Sequence, residues 1–180
     1  MNVLETKLPG VLIIEPQVFG DSRGFFLESF QTERYKEMGI DALFIQDNHS
    51  RSRRGVLRGL HFQRTRPQGK LVRVSRGAVW DVAVDVNPSS ATFGCYEGVE
   101  LNDENHRQLW IPPGYAHGFC VLSDVADFEY KCTDLYVPED EGALLWSDPD
   151  VNIPWPVDAP LLSEKDRRNP TLRQLTESRG

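Results

Sequence analysis

Two periods organise the chain, and the shorter one dominates. In GAVWDVAVDVN (77–87), Ala78, Trp80, Val82, Val84 and Val86 fall on one side, and Val79, Asp81, Ala83 and Asp85 on the other. In ADFEYKCTD, Phe128, Tyr130 and Cys132 alternate with Asp127, Glu129, Lys131 and Thr133. Successive side chains of a strand point to opposite faces, so both stretches are predicted as strands. Further strands are predicted at 11–14, 24–30, 43–47, 56–62, 70–75, 93–101, 108–111, 117–122 and 143–146. Turn signals such as Pro67-Gln68-Gly69, Asn87-Pro88, Pro112-Pro113-Gly114 and Pro138 to Gly142 separate them. Helical spacing is confined to 31–38 and to short pieces near 163–167 and 170–176. Many short strands with frequent turns predict an all-β, double-sheet jelly roll with short peripheral helices. The first 30 residues hold two strand candidates ahead of any helix, a segment suited to pairing with a neighbouring subunit.

With 180 residues, no internal repeat and no linker-like tract, one domain over 1–180 is expected, with a short helical segment from about 163. Apolar residues make up 39%, enough to build a core. Three cysteines, Cys95, Cys120 and Cys132, make neither a disulfide scaffold nor a zinc knuckle and suggest reduced thiols. The apolar run Val11–Ile14 is boxed in by Pro9 and Pro16, too short for a signal peptide, and no stretch approaches a membrane span. A cytoplasmic protein without a membrane partner is expected.

Charge sharpens this picture. The net charge is −7, yet Arg51, Arg53, Arg54, Arg58, Arg64, Arg66, Lys70, Arg73 and Arg76 follow one another without an Asp or Glu between them. An acidic chain with one positive island suits a small anion, while a long nucleic acid would be repelled by the acidic remainder. A solvated strand face or a dimer rim is the plainer account of any single arginine.

Of the four histidines, His49 and His106 sit in polar surroundings, His61 in the apolar VLRGLHFQ, and His117 directly after a Pro-Gly turn. A metal-holding barrel typically places two histidines two apart, but the residue two after His61 is Gln63; ligands from distant strands would be the remaining route to a metal. Without one, a neutral imidazole is the natural base at neutral pH, best served by a carboxylate that fixes its tautomer. Asp166 is a candidate, although periodicity cannot place it near His61. Tyr130 is a phenol on a strand face, either a proton donor or a core tyrosine. Lys70 shares parity with Val72 and Val74, so it either meets an anion or guards a sheet edge. Arg58 and His61 differ by three positions and point to opposite faces of a regular strand; only a bulge at Gly59 would let them serve one pocket.

VFGDSRGFFLESF (18–30), FIQDNHS (44–50), VLRGLHFQ (56–63), GKLVRVSRGAVWDVAVD (69–85), RQLWIPPGYAHGF (107–119), YKCTDLY (130–136) and LSEKD (162–166) together resemble the dTDP-4-dehydrorhamnose 3,5-epimerase family, over residues 3 to about 170. The resemblance implies a cofactor-free, metal-free cupin homodimer with exchanged N-terminal strands. Its substrate would be a dTDP-4-keto-6-deoxyhexose. By motif position it implies His61 as base, Asp166 as its partner, Tyr130 as acid and Lys70 beside the 4-keto oxygen. Arg23, Phe26, Glu28, Gln46, Asp47, Asn48, Arg58, Lys70, His117, Glu141 and Lys165 would bind substrate, and Tyr136 would stack on thymine. Arg23 would reach the other subunit's pocket. Inversion of a single carbon, ketoisomerisation, a non-catalytic binder of a sugar nucleotide or other anion, and a metal-dependent cupin dioxygenase are the alternatives.

Overall fold

The computed structural model describes residues 1–177. In chain order the strands are β1 (Asn2–Glu5), β2 (Leu12–Glu15), β3 (Val18–Asp21), β4 (Gly24–Leu27), β5 (Gln46–Arg53), β6 (Leu57–Gln63), β7 (Lys70–Arg76) and β8 (Ala78–Asp85). There follow β9 (Tyr96–Asn102), β10 (Gln108–Ile111), β11 (Tyr115–Val121), β12 (Val125–Cys132) and β13 (Glu141–Ala143). Two helices, α1 (Thr32–Glu37) and α2 (Leu172–Glu177), and 3-10 turns at 138–140 and 166–168 complete the described elements.

The strands pair antiparallel into a six-stranded sheet, β1-β2-β10-β7-β12-β5, a five-stranded sheet, β13-β6-β11-β8-β9, and a separate hairpin, β3-β4. This is the expected double-sheet jelly roll. Between the large sheets lies a core that includes Val72, Val74, Val79, Ala83, Leu109, Phe119 and Phe128. Both sheets are also covered on their outer faces. Tyr35 of α1 packs with Ile14, Ile40, Leu71 and Trp110 on one side, and Leu172 and Leu175 of α2 pack with Leu60, Val82, Val84 and Leu144 on the other.

That second covering decides which face of β8 turns inward. The continuous apolar side, with Val82 and Val84, lies outside beneath the C-terminal segment, while Val79, Asp81 and Ala83 face the space between the sheets. Asp81 is thereby buried completely.

Strand β6 carries the predicted irregularity. His61 pairs with His117 and Arg58 with Phe119, so three steps on β6 answer two on β11. The extra residue brings Arg58 and His61 to the same cavity. It requires glycine on both strands: a Cβ on Gly59 would lie 2.6 Å from the Gly118 Cα, and one on Gly118 2.6 Å from the Arg58 carbonyl oxygen.

Several boundaries differ from the sequence pattern. The expected strand at 43–47 is instead β5, running from Gln46 to Arg53 with His49 exposed upon it. Strands β1 and β3 were not signalled, and 24–30 shortens to β4 before the chain turns into α1. The expected 93–101 begins at Tyr96, and 143–146 moves back to β13, pairing with β6. The C-terminal helical piece at 163–167 is only a single 3-10 turn at 166–168. Of the cysteines, Cys120 and Cys132 are buried and Cys95 is exposed, all with free thiols.

Candidate active site

Two adjoining cavities of about 340 and 280 Å³ open between the sheets and share His61, Lys70, Tyr130 and Lys165. The sheets contribute different chemistry. From β6 and β11 of the five-stranded sheet come Arg58, His61 and His117; from β5, β7 and β12 of the other come Gln46, Asn48, Lys70 and Tyr130. Imidazole and phenol therefore approach the same space from opposite walls.

Asp166 reaches His61 from the C-terminal segment. Its Oδ1 lies 2.6 Å from His61 Nε2, and its Oδ2 accepts the Ser163 hydroxyl at 2.8 Å. Hydrogen bonds from the 55–57 stretch to Leu161, and from Asn169 to the Gly59 carbonyl, hold this segment against β6. Burial pushes the Asp166 carboxyl up, but the hydrogen bond and charge of His61 and the Ser163 hydroxyl outweigh it and leave it below the ordinary value. An ionised Asp166 accepts from Nε2–H, which makes Nδ1 the ring nitrogen open to a proton.

Tyr130 keeps its proton: burial raises its pKa, the neighbouring Cys132 adds to that, and the Arg58 charge opposes it. Lys70 moves the other way. Burial lowers its pKa, against the attraction of Cys132, Asp81 and Glu141, and no hydrogen bond or ion pair holds its ammonium among the described residues. An unpaired cation facing a cavity is arranged for an anionic group that arrives with a ligand. Glu141 bridges the rim. It accepts from Lys165 and, at 2.6 Å, from the Tyr136 hydroxyl, and these contacts with His61 overcome burial to keep its pKa low. The bond to Glu141 raises Tyr136 to about 12.

Within the basic island two kinds of arginine stand out. Arg51, Arg54, Arg66 and Arg73 are taken up by Asp127, Asp124, Asp134 and Glu129. Arg58 instead bonds only the Ser52 hydroxyl, at 3.1 Å, and lines the cavity with Lys70. A further cavity of about 380 Å³ lies on the outer face of the six-stranded sheet, where Arg73–Glu129 and Lys131–Asp47 satisfy one another. Its charges are spent internally, whereas between the sheets Lys70 and Arg58 have no carboxylate partner among the described residues.

A wall of imidazole and carboxylate facing a wall of phenol and free ammonium suits proton removal beside a carbonyl. A family model described as dTDP-4-dehydrorhamnose 3,5-epimerase matches residues 5–174. The chain belongs to the dTDP-4-dehydrorhamnose 3,5-epimerase family. A relative of that name from Shigella flexneri is 58% identical over 168 residues, 92% of this chain and 93% of the relative. One from Pseudomonas aeruginosa is 55% identical over 170 residues, 93% of this chain and 94% of its own. Among solved structures, a dTDP-6-deoxy-D-glucose-3,5-epimerase from Legionella pneumophila in complex with dTDP-4-keto-L-rhamnose superposes with a TM-score of 0.93. It is 53% identical, over 96% of this chain and 93% of that one. The activity of the chain is that of its family, epimerisation at carbons 3 and 5 of a dTDP-4-keto-6-deoxy sugar in dTDP-rhamnose synthesis, on a cupin-type fold.

Not every residue expected in the epimerase site lies at the cavity. Arg23 and Phe26 sit on the β3–β4 hairpin, outside both sheets, with Arg23 paired to Asp21; Glu28, just beyond, is paired to Arg34. Asp47 too lies outside the cavity, on the outward side of β5. Gln46 and Asn48 point between the sheets, so Asp47, one step along, points out and bonds Lys131 at 3.0 Å. The structure adds residues that sequence reasoning missed. Asp81 holds His117 Nε2 at 2.9 Å with both groups buried, and Ser163 braces Asp166. The only sequence signal for Asp81 was an acid alternating with Val79 and Ala83 in a strand apolar on both faces. Among the described residues no three His, Cys, Asp or Glu side chains converge as metal ligands.

Proposed function

We propose that His61 is the base that removes the hydrogens at carbons 3 and 5 of dTDP-4-keto-6-deoxy-D-glucose, with Tyr130 as the acid. Both carbons flank the C4 ketone, so their hydrogens are acidic. His61 Nδ1 takes the proton, the electron pair moves into the C4 carbonyl, and an enolate forms. Lys70 stabilises the negative oxygen as a fixed cation. Tyr130 O–H returns a proton to carbon from the other wall, which inverts the centre. The imidazolium and phenolate then exchange protons with solvent, and the enzyme is restored. Asp166 fixes the His61 tautomer and stabilises the imidazolium. The single observation that carries this reading is the base and acid on opposite sheets, lining one cavity with an unpaired ammonium on the acid's side. The reaction moves only protons, so these residues suffice and no cofactor or metal is called for.

Arg58 and His117 suit the diphosphate, Gln46, Asn48, Glu141 and Lys165 the sugar and its surroundings, and Tyr136 the thymine face. We place Arg23, Phe26 and Glu28 in the partner's cavity within a homodimer. The support is the hairpin itself, which leaves Phe19, Phe25 and Phe26 60%, 62% and 69% exposed. The free thiols fit a reducing compartment, and we place the enzyme in the cytoplasm; no helix among the described residues is long and apolar enough to cross a membrane.

The deciding experiment is His61→Asn assayed by NMR in deuterated water. The variant is expected to fold, bind dTDP and exchange neither carbon-bound hydrogen measurably. Exchange at near-native rates would place the base elsewhere.

A further inference from the structure

Tyr136 is 49% exposed, belongs to no core cluster and makes no ring contact among the described residues, so burial does not set the direction of its ring. Its phenol tip is tied to Glu141. Its backbone is tied by two side-chain amides, one from each sheet. Gln46 of β5 accepts the Tyr136 N–H on Oε1 at 2.9 Å. Gln63, the last residue of β6 and 4% exposed, works on both sides of the tyrosine. Its Oε1 accepts the Val137 N–H at 2.6 Å, and its Nε2 donates to the Leu135 carbonyl at 3.1 Å and to the Arg66 carbonyl at 2.7 Å.

An amide offers two N–H donors and one carbonyl oxygen. In Gln63 both donors and the oxygen are committed to backbone groups, so it has little left for a ligand although it points the same way as His61. Among the described residues Leu135 and Val137 draw no other side-chain amide, although the Leu135 N–H donates to the Asp134 carboxylate and the Val137 carbonyl accepts from the Asp140 N–H, and the start of the loop has further holds of its own. Thr133 accepts from the Gly69 N–H at 2.8 Å, and Asp134 is held by Gln68 at 2.7 Å and by Arg66. Loss of Gln63 would therefore loosen the backbone on both sides of Tyr136, with the Tyr136 N–H still held by Gln46, and leave Thr133 anchored by Gly69 and Asp134 by Gln68.

We infer that Gln63 is a positioning residue: it holds the loop so that Tyr136 meets the nucleobase already oriented, and it thereby sets affinity for the nucleoside half of the substrate rather than the rate of proton transfer. This rests on the assignment of Tyr136 to the thymine face. The physical reason is preorganisation. A ring that must be ordered on binding subtracts its ordering cost from the affinity, and one already held does not.

The test compares wild type, Gln63→Met, Gln63→Glu and Tyr136→Ala. Methionine keeps the volume and removes all three bonds. Glutamate keeps the acceptor for Val137 and removes both donors, and serves as the second variant should the first fold poorly. Binding of dTDP and of inorganic diphosphate is measured by calorimetry, alongside kcat and KM. For Gln63→Met, the Kd for dTDP and the KM are expected to rise about tenfold, and at least as much for Gln63→Glu, whose carboxylate would face the Leu135 and Arg66 carbonyls, while diphosphate affinity and kcat of Gln63→Met stay within about twofold. Native dTDP affinity in Gln63→Met, beside weakened binding in Tyr136→Ala, would overturn the inference and leave the Tyr136 assignment standing. Equal loss of dTDP and diphosphate binding with a falling kcat would also overturn it, since that marks a merely structural role. Native dTDP binding by Tyr136→Ala would refute the assignment itself, and the inference with it.

Discussion

Replacing Asp166 by Asn removes the charge behind His61 and keeps the shape. The contact at stake is 2.6 Å long, and the carboxylate side chain is 6% exposed, so solvent offers little compensation. A hydrogen bond to a charged group contributes about 1.5–3 kcal/mol, and about 1.4 kcal/mol is tenfold in rate. If the new amide turns its oxygen to His61, kcat should fall by about 10- to 150-fold. Ser163 favours that orientation, because its hydroxyl can accept from the amide NH2 where it now donates to Oδ2. If the NH2 turns to His61 instead, the imidazole is forced into the other tautomer and the loss should be on the order of 10⁴-fold. The assay is the disappearance of the C3 and C5 proton signals of the 4-keto sugar nucleotide in deuterated water, with circular dichroism to check the fold. Both carbons should slow together, because one base serves both, and KM should stay within about twofold. Exchange at native rates would refute the pairing. Slowing at one carbon alone would refute the single base.

Tyr130→Phe should lose double inversion while exchange by His61 partly survives; full formation of the doubly inverted product would remove the phenol from the mechanism. Because burial lowers the Lys70 pKa, its charge is present at low pH and lost as pH rises, below the ordinary lysine range of about 10.4. The alkaline limb of kcat should accordingly move to higher pH in Lys70→Arg, and a limb that stays in place would assign it to another group. Gly118→Ala puts a methyl 2.6 Å from the Arg58 carbonyl oxygen, which should cost about 1–3 kcal/mol in a thermal or urea melt and displace Arg58 and His61 enough to cut turnover. A native melting temperature in that variant would mean that the strands part more easily than their approach implies.

The strands most legible in the sequence were those with apolar residues on at least one face, such as β8 and β12. Strand β5 was the informative failure. Its inward residues are Gln46, Asn48, Ser50 and Ser52, and its outward ones Asp47, His49, Arg51 and Arg53, so neither side carries a hydrophobic signal. It is polar within because it lines a cavity for a polar ligand, and the function erased the pattern that would have announced the strand. The bulge was legible because Arg58 and His61 had the wrong parity and a glycine lay between them. The Asp166–His61 contact was not, since no periodicity links positions 105 residues apart. The side of β8 that faces inward was equally hidden, because both its faces are covered and alternation alone does not say by what.

Asp166 follows all thirteen described strands, on a piece pinned to β6 at Leu161 and Asn169 and continued into Leu172 and Leu175, which pack over the five-stranded sheet. A nascent polypeptide can complete both sheets, with His61 in place, and still lack the carboxylate that serves it. A protease that nicked the exposed stretch around Ser163 would cut the chain between the barrel and that carboxylate.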